Sequence, residues 1–280
     1  TQIGSADLDN VTISNAKSCI IVEGSMTAKS LTIEDCLIGI EISGTAHISE
    51  LSAAHIDNDG FRVTGVATLS DLDLTDMSAG ISSDGDLTLT GAEFTDVGTG
   101  ISLSGGTADV ATLNFNSGVG NAVSISSGVS GDIDGMTGAS ANAIVAMDST
   151  GFSIANVVMS GERLVNSWSA GDLTISDSTF DANSGETPID IRTSGTVSLS
   201  DIHLTGQFSS LQGTFNAPWI GMMLAGSGDY VVESSTIEST DSALIASGTG
   251  TLHAANSTFI SDRLGLSFSG ISSTNSDSTS

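Results

Sequence analysis

The chain is poor in cations, cysteine, proline and aromatic rings, and each shortage excludes something. Six Lys and Arg stand against 33 Asp and Glu, a net charge of −27 over 280 residues. A polyanion of this strength repels phosphate backbones and anionic headgroups, which rules against nucleic acid and membrane surfaces and leaves cations, basic proteins and neutral glycans as partners. No apolar run approaches the roughly eighteen residues that span a bilayer, so no membrane insertion is expected in this segment. The opening TQIGSADLDN has neither the basic nor the apolar part of a secretion signal, so any export signal is expected upstream or already removed. Gly, Ser, Thr and Asp occupy every window, and these residues favour turns or penalise helices, so no helix is expected anywhere.

What the chain does contain is a repeat. The stretch FTDVGTGISLSGG, from Phe94, joins a large apolar residue, an acid two positions on, and a Gly-Ile pair that opens a short apolar alternation. The frame recurs from Ile13, Ile33, Ile56, Leu74, Phe115, Met136, Val158, Phe180, Ile237 and Phe259, with steps of 20, 23, 18, 20, 21, 21, 22 and 22 up to Phe180 and a weak copy near Leu204. A period in this range marks a solenoid, about twelve units long. Inside a unit the apolar residues alternate, as in Ile40/Ile42, Ile101/Leu103, Val123/Ile125, Ile189/Ile191 and Leu266/Phe268, which is strand periodicity.

Three such pieces per unit, separated by Gly, Asp, Asn and Ser, make one three-sided coil. A single coil cannot bury its inward side chains, so successive coils must stack with equivalent strands parallel and like side chains in columns. The expected fold is all-β, a parallel β-helix of about twelve three-strand coils and roughly 55–60 Å long. It is predicted to span 1–270, with a loop insertion at about 207–221 and a Ser/Thr-rich linker or tail at 271–280. Gly24, Gly44, Gly65, Gly105, Gly195, Gly226, Gly248 and Gly270 are expected to supply positive φ at corners. Asn15, Asp35, Asn58, Asp76 and Asp96 are expected to bend the chain and tolerate left-handed geometry.

On these repeats, apolar-x-Asn/Asp followed by Gly-Ile over nearly the whole chain, the sequence resembles the right-handed parallel β-helix superfamily, the pectin-lyase-like fold, in its degenerate coil-repeat type. The resemblance implies the right hand. It is closer to the surface and adhesin members than to the lyases. The lyases use converging Lys and Arg with calcium, whereas Arg62, Arg163, Arg192 and Arg263 fall at different phases on distant coils. The galacturonase pattern is missing as well, since no Asp-Asp, Gly-His-Gly or Arg-x-Lys occurs. His47, His55, His203 and His253 lie in strand-like contexts and are expected to face solvent.

Four features carry possible chemistry. The acids Asp57, Asp59, Asp71, Asp73 and Asp76 fall on neighbouring coils, where stacked carboxylates would suit calcium, the one cofactor considered, or would simply solvate the surface. Alternation places Asp71 and Asp73 on one outward face, a pair that would also serve glycoside hydrolysis at the right separation. Between Leu204 and Ile237, 33 residues replace about 21, and this insertion holds Phe208, Phe215 and Trp219, either as an exposed binding surface or folded back onto the side of the coils. Cys19 and Cys36 lie on consecutive units at different offsets and are either bridged in an oxidising compartment or two buried thiols. Asn10 and Asn256 begin glycosylation sequons, NVT and NST.

Two functions remain open. One is a non-catalytic extracellular segment of a cell-surface, surface-layer or filament protein that assembles with itself, head to tail or laterally, or meets cell-surface glycans and proteins. The other is a glycan-active enzyme or carbohydrate-binding module on the same scaffold.

Overall fold

A computed structural model describes residues 5–126, 128–147, 151–169, 171–183, 187–205 and 220–277. The chain is a parallel β-solenoid of about eleven turns, and the described residues contain no helix. It divides into two compact units, Thr1–Ser140 and Ala141–Ser280.

The first unit winds through β1 (Ser5–Val22), β2 (Ser25–Ile42), β3 (Thr45–Val63), β4 (Val66–Ser83), β5 (Asp86–Leu103), β6 (Thr107–Phe115), β7 (Asn121–Ile125) and the start of β8 (Ser130–Met147). Each turn pairs in parallel with the next, β5 meeting both β6 and β7. The inner column runs Ile13, Ile33, Ala53, Leu74, Phe94, Phe115 in register. From Ile33 onward every member is buried. The rings of Phe94 and Phe115 stack with centroids 5.0 Å apart and planes 11° apart. Gly80 makes room for this column, because a Cβ there would lie 2.6 Å from the Phe94 ring and 2.6 Å from the Gly100 carbonyl.

Three expected column members are displaced. Ala53, not Ile56, continues the column, and Ile56 stacks between Cys36 and Met77. The spacing from Ile13 to Phe115 then becomes an even 20, 20, 21, 20 and 21, and the extra residue of the third turn is absorbed by a register shift after Ile56. Gly138, not Met136, lies opposite Phe115. In the second unit Met159, not Val158, underlies Phe180, and Val158 is 56% exposed. The common cause is that side-chain size marks an apolar position, while hydrogen-bond register decides which position is on the column.

The corners of the first unit are made by single left-handed residues. Asn10, Ser30, Glu50, Asp71 and Thr112 stack at one corner with φ of 53–59°, where Gly91 and Gly135 fill the same place. Asn15, Asp35, His55, Asp76 and Asp96 stack at the next with φ of 53–61°; His55, not Asn58, serves the third turn. Asn and Asp suit this conformation because their short polar side chains bond locally, whereas an ordinary residue loses about 1–2 kcal/mol there. The glycines differ from expectation. Of the eight corner glycines only Gly226, Gly248 and Gly270 are left-handed, at 118°, 123° and 78°. Gly44 and Gly65 are required by crowding instead, since an added Cβ would meet the carbonyl oxygen of the previous turn at 2.0 and 2.1 Å.

The second unit winds through β9 (Phe152–Ser169), β10 (Leu173–Ala182), β11 (Ile189–Thr193), β12 (Thr196–Thr205), β13 (Ile220–Gly226), β14 (Asp229–Glu233), β15 (Thr236–Glu238), β16 (Ser242–Gly248), β17 (Thr251–Ala255), β18 (Thr258–Ile260), β19 (Leu264–Ser269) and β20 (Ser272–Asp277). Its inner column is Met159, Phe180, Leu204, Ile237, Phe259. Strand pairing continues through β20, which lies parallel to β17 within the stretch whose composition reads as a tail. One outward sheet consists of β9, β11, β13, β16 and β19 in that order.

Candidate functional site

Of the five acids expected to gather, Asp57 and Asp76 line one groove at the second corner, and the other three lie elsewhere in the first unit. Asp71 occupies the first left-handed corner, and Asp76 the second. Asp73 stands between them in the exposed row Ser52, Asp73, Glu93. The alternation that placed Asp71 and Asp73 on one face is interrupted because the backbone turns at Asp71. Asp59 is engaged: Arg62 donates to it through Nη2 at 2.6 Å and Nε at 3.0 Å, and Ser82 donates its hydroxyl at 2.7 Å. Asp57 is exposed, and its backbone carbonyl accepts the Ser78 hydroxyl. No three His, Cys, Asp or Glu among the described residues are gathered as a metal site.

The second-corner column does gather charge. His55 stands between Asp35 and Asp76, its Nδ1 3.9 Å from one carboxylate and its Nε2 3.9 Å from the other. With Asp57, Met77 and Ser78 these residues line an open groove of about 660 Å³. His47 and His203 are exposed on strands, and His253, half-buried, lies 3.7 Å from Glu233.

Elsewhere cations bridge turns. Lys29 lies 3.1 Å from Glu50 and Arg263 3.0 Å from Asp241. The Ser30 hydroxyl, and after it Lys29, hold the Glu50 carboxyl below the ordinary carboxylate range. Thr107 does the same for Asp86, donating its hydroxyl at 2.8 Å and its backbone N–H at 3.0 Å.

Cys19 and Cys36 are joined by a disulfide with Cα atoms 6.1 Å apart. Cys36 lies opposite Ala16, so the bridge runs diagonally between the first two turns, which is how unequal offsets are reconciled. Asn10 and Asn256 are both exposed at left-handed corners, φ 56° and 50°. Phe208, Phe215 and Trp219 lie outside the described residues.

A constellation that reading residues singly missed lies on the outward sheet of the second unit. Trp168 on β9 is directly opposite Arg192 on β11, with the guanidinium carbon 5.7 Å from the ring centroid. Asp190 accepts from Arg192 at both oxygens, Nε at 3.0 Å and Nη2 at 2.8 Å. That bidentate pairing raises the Arg192 pKa above its ordinary value. The signal was available, since Trp168 and Arg192 are about one repeat apart and alternation puts Asp190 beside Arg192. The insertion between them and the next coil obscured the phase.

Comparison with known protein families, with characterised proteins and with solved structures finds no match for this chain.

Proposed function

We propose that the chain is a non-catalytic, extracellular structural segment of a cell-surface, surface-layer or filament protein, whose turns extend by stacking one copy on the next. The observation that carries this reading is the state of the stack edges. On β1, Val11, Ile13 and Ile20 are only half-buried, while their register partners Leu31, Ile33 and Ile40 are buried. On β19, Phe268 is 44% exposed although its partner Ala246 is buried. Such an edge presents an inward apolar column, which a cap, a further turn of the same polypeptide or a second copy would cover.

The Cys19–Cys36 bridge favours an oxidising compartment. The high negative charge keeps the outward faces apart, so that association is directed to the ends rather than the sides. Likeness to the surface and adhesin members of the right-handed β-helix superfamily belongs to this proposal. The enzyme reading is weaker because the backbone turns at Asp71, which stands at the corner while Asp73 lies beyond it.

Sedimentation across a wide concentration range tests the proposal. The expected result is a mass that rises in steps of one chain, and a Phe268→Asp chain that stays monomeric while keeping its β circular dichroism. A monodisperse monomer at the highest attainable concentration, or a Phe268→Asp chain that associates like the parent, overturns it.

A further inference from the structure

Among the described residues most aromatic side chains are buried; Phe259 is half-buried, and Phe268 and Trp168 are exposed. Phe61, Phe94, Phe115, Phe152, Phe180 and Tyr230 are all at most 2% exposed, as the cost of hydrating large apolar rings requires. Phe268 is exposed at a stack edge, where a further turn would cover it. Trp168 is 52% exposed near the C-terminal end of β9, on the outward face of a sheet whose next strand is β11. No register defect explains this placement. Val165 and Ser167 are buried while Asn166 is half-buried and Trp168 exposed, so alternation over these last residues of β9 puts the indole on the outward side.

The surroundings of the ring are ordered. Arg192, one turn on, lies over it, and the partly buried Asp190 fixes that guanidinium by two bonds. A guanidinium has five N–H donors, so three remain for another acceptor. Asn166, two residues before Trp168 on the same outward face, lies opposite Asp190 and adds an amide. Past Arg192 the column continues with the small residues Ala225 and Ser247, which leave a low floor beside the raised ring and guanidinium.

A flat apolar ring, a planar donor held rigid and a nearby amide are complementary to a pyranose, which has an apolar C–H face and a rim of hydroxyls. Charge narrows the choice. Asp190 already balances Arg192, and a net charge of −27 repels uronates and sulfated sugars. We propose that Trp168, Arg192 and Asn166 form a stacking subsite for a neutral oligosaccharide. The subsite does not depend on end-to-end association and would operate on a monomer.

The test uses intrinsic fluorescence. The chain has two tryptophans, so a Trp219→Phe background leaves Trp168 as the only indole emitter. The probes are cellohexaose, xylohexaose, mannohexaose and chitohexaose, with oligogalacturonate as the acidic control, each titrated to about 10 mM. The expected result is a saturable change with at least one neutral hexasaccharide and none with oligogalacturonate. Calorimetry with that sugar should then show binding weakened about tenfold or more by Trp168→Ala, less by Trp168→Phe, and measurably by Arg192→Lys, which keeps the charge but loses the planar fork. Circular dichroism and sedimentation of these variants should match the parent. The proposal is overturned if no neutral sugar alters Trp168 emission, if oligogalacturonate binds as well, if Trp168→Ala binds like the parent, or if Trp168→Ala changes self-association alone.

Discussion

Strands β1 to β5 each run 18 or 19 residues without interruption around two corners, whereas β14 to β19 run 3–7 residues. Both units keep the first corner as a stack of left-handed residues. In the second unit these are Asn156, Asp177, Asp201, Ser234 and Asn256, with φ of 49–56°. The second corner separates them. In the first unit Asn15, Asp35, His55, Asp76 and Asp96 turn it within one residue, with a break only at 116–120 between β6 and β7 among the described residues, while in the second unit 239–241 and 261–263 intervene between strands. A solenoid therefore tolerates variation at one corner as long as the inward columns keep their register.

The positions just after the first corner teach a second point. In the first unit they are Leu31, Leu51, Leu72, Ala92 and Leu113, all buried and apolar. In the second they are Val157, Ser178, Ile202, Ser235 and Ser257, with the three serines equally buried. The serines are tolerated because each hydroxyl is used. Ser178 donates to the Ser176 carbonyl and accepts from Val157 N–H, Ser235 donates to Glu233 and accepts from Ile202, and Ser257 donates to Ala255 and accepts from Ser235. A column of dispersion contacts is replaced by a ladder of turn-to-turn hydrogen bonds.

The largest test of this contrast lies in the cores. Phe94→Ala should cost about 3–5 kcal/mol in denaturant unfolding, because the ring is stacked on Phe115 and the site cannot collapse. Phe180→Ala should fall at the low end of that range, since its neighbour Met159 is flexible enough to fill part of the space. Equal costs would mean that the two columns are packed alike. Next, Ser235→Ala should cost about 1–3 kcal/mol by stranding the buried Ile202 N–H. Its signature is faster amide exchange at Ile202, and unchanged exchange there would remove the ladder from the account.

At the second corner, Asp76→Ala should cost about 1–2 kcal/mol and Asp76→Gly clearly less, because only the former forces an ordinary side chain into left-handed geometry. If alanine and glycine are equivalent in thermal melts, single-residue corners do not distinguish the first unit. The smallest effect is in pH. Thr107 depresses the folded-state pKa of Asp86, so the stabilisation is present above the ordinary carboxyl range and disappears as pH falls through the lowered value. Thr107→Val should raise the Asp86 midpoint in a carboxyl NMR titration, with a slight loss of stability at neutral pH that vanishes at acid pH, and an unmoved midpoint would show that the hydroxyl is not responsible.

Much of the fold was legible before any coordinates, for a particular reason. A period near 21 with alternation inside it admits few solutions, and Ile13, Ile33, Leu74, Phe94 and Phe115 marked their column correctly because large apolar residues there have nowhere else to go. Ala53 was passed over for the bulkier Ile56, and Met159 for Val158, because composition cannot show register. The candidate sites were less legible. Carboxylates close in sequence, such as Asp71, Asp73 and Asp76, are divided by corners, while Trp168 and Arg192, 24 positions apart, are brought together by one turn of the chain.

By itself the sequence determined that this chain winds into stacked all-β turns, since its apolar residues can be buried in no other periodic way. Only the tertiary structure decided which side chains share a column, which glycines are crowded rather than left-handed, that Cys19 reaches Cys36, and that Trp168 stands exposed against Arg192. Those outcomes depend on where each corner absorbs an extra residue, and a corner is a property of backbone dihedrals and cross-turn hydrogen bonds that residue types constrain without specifying.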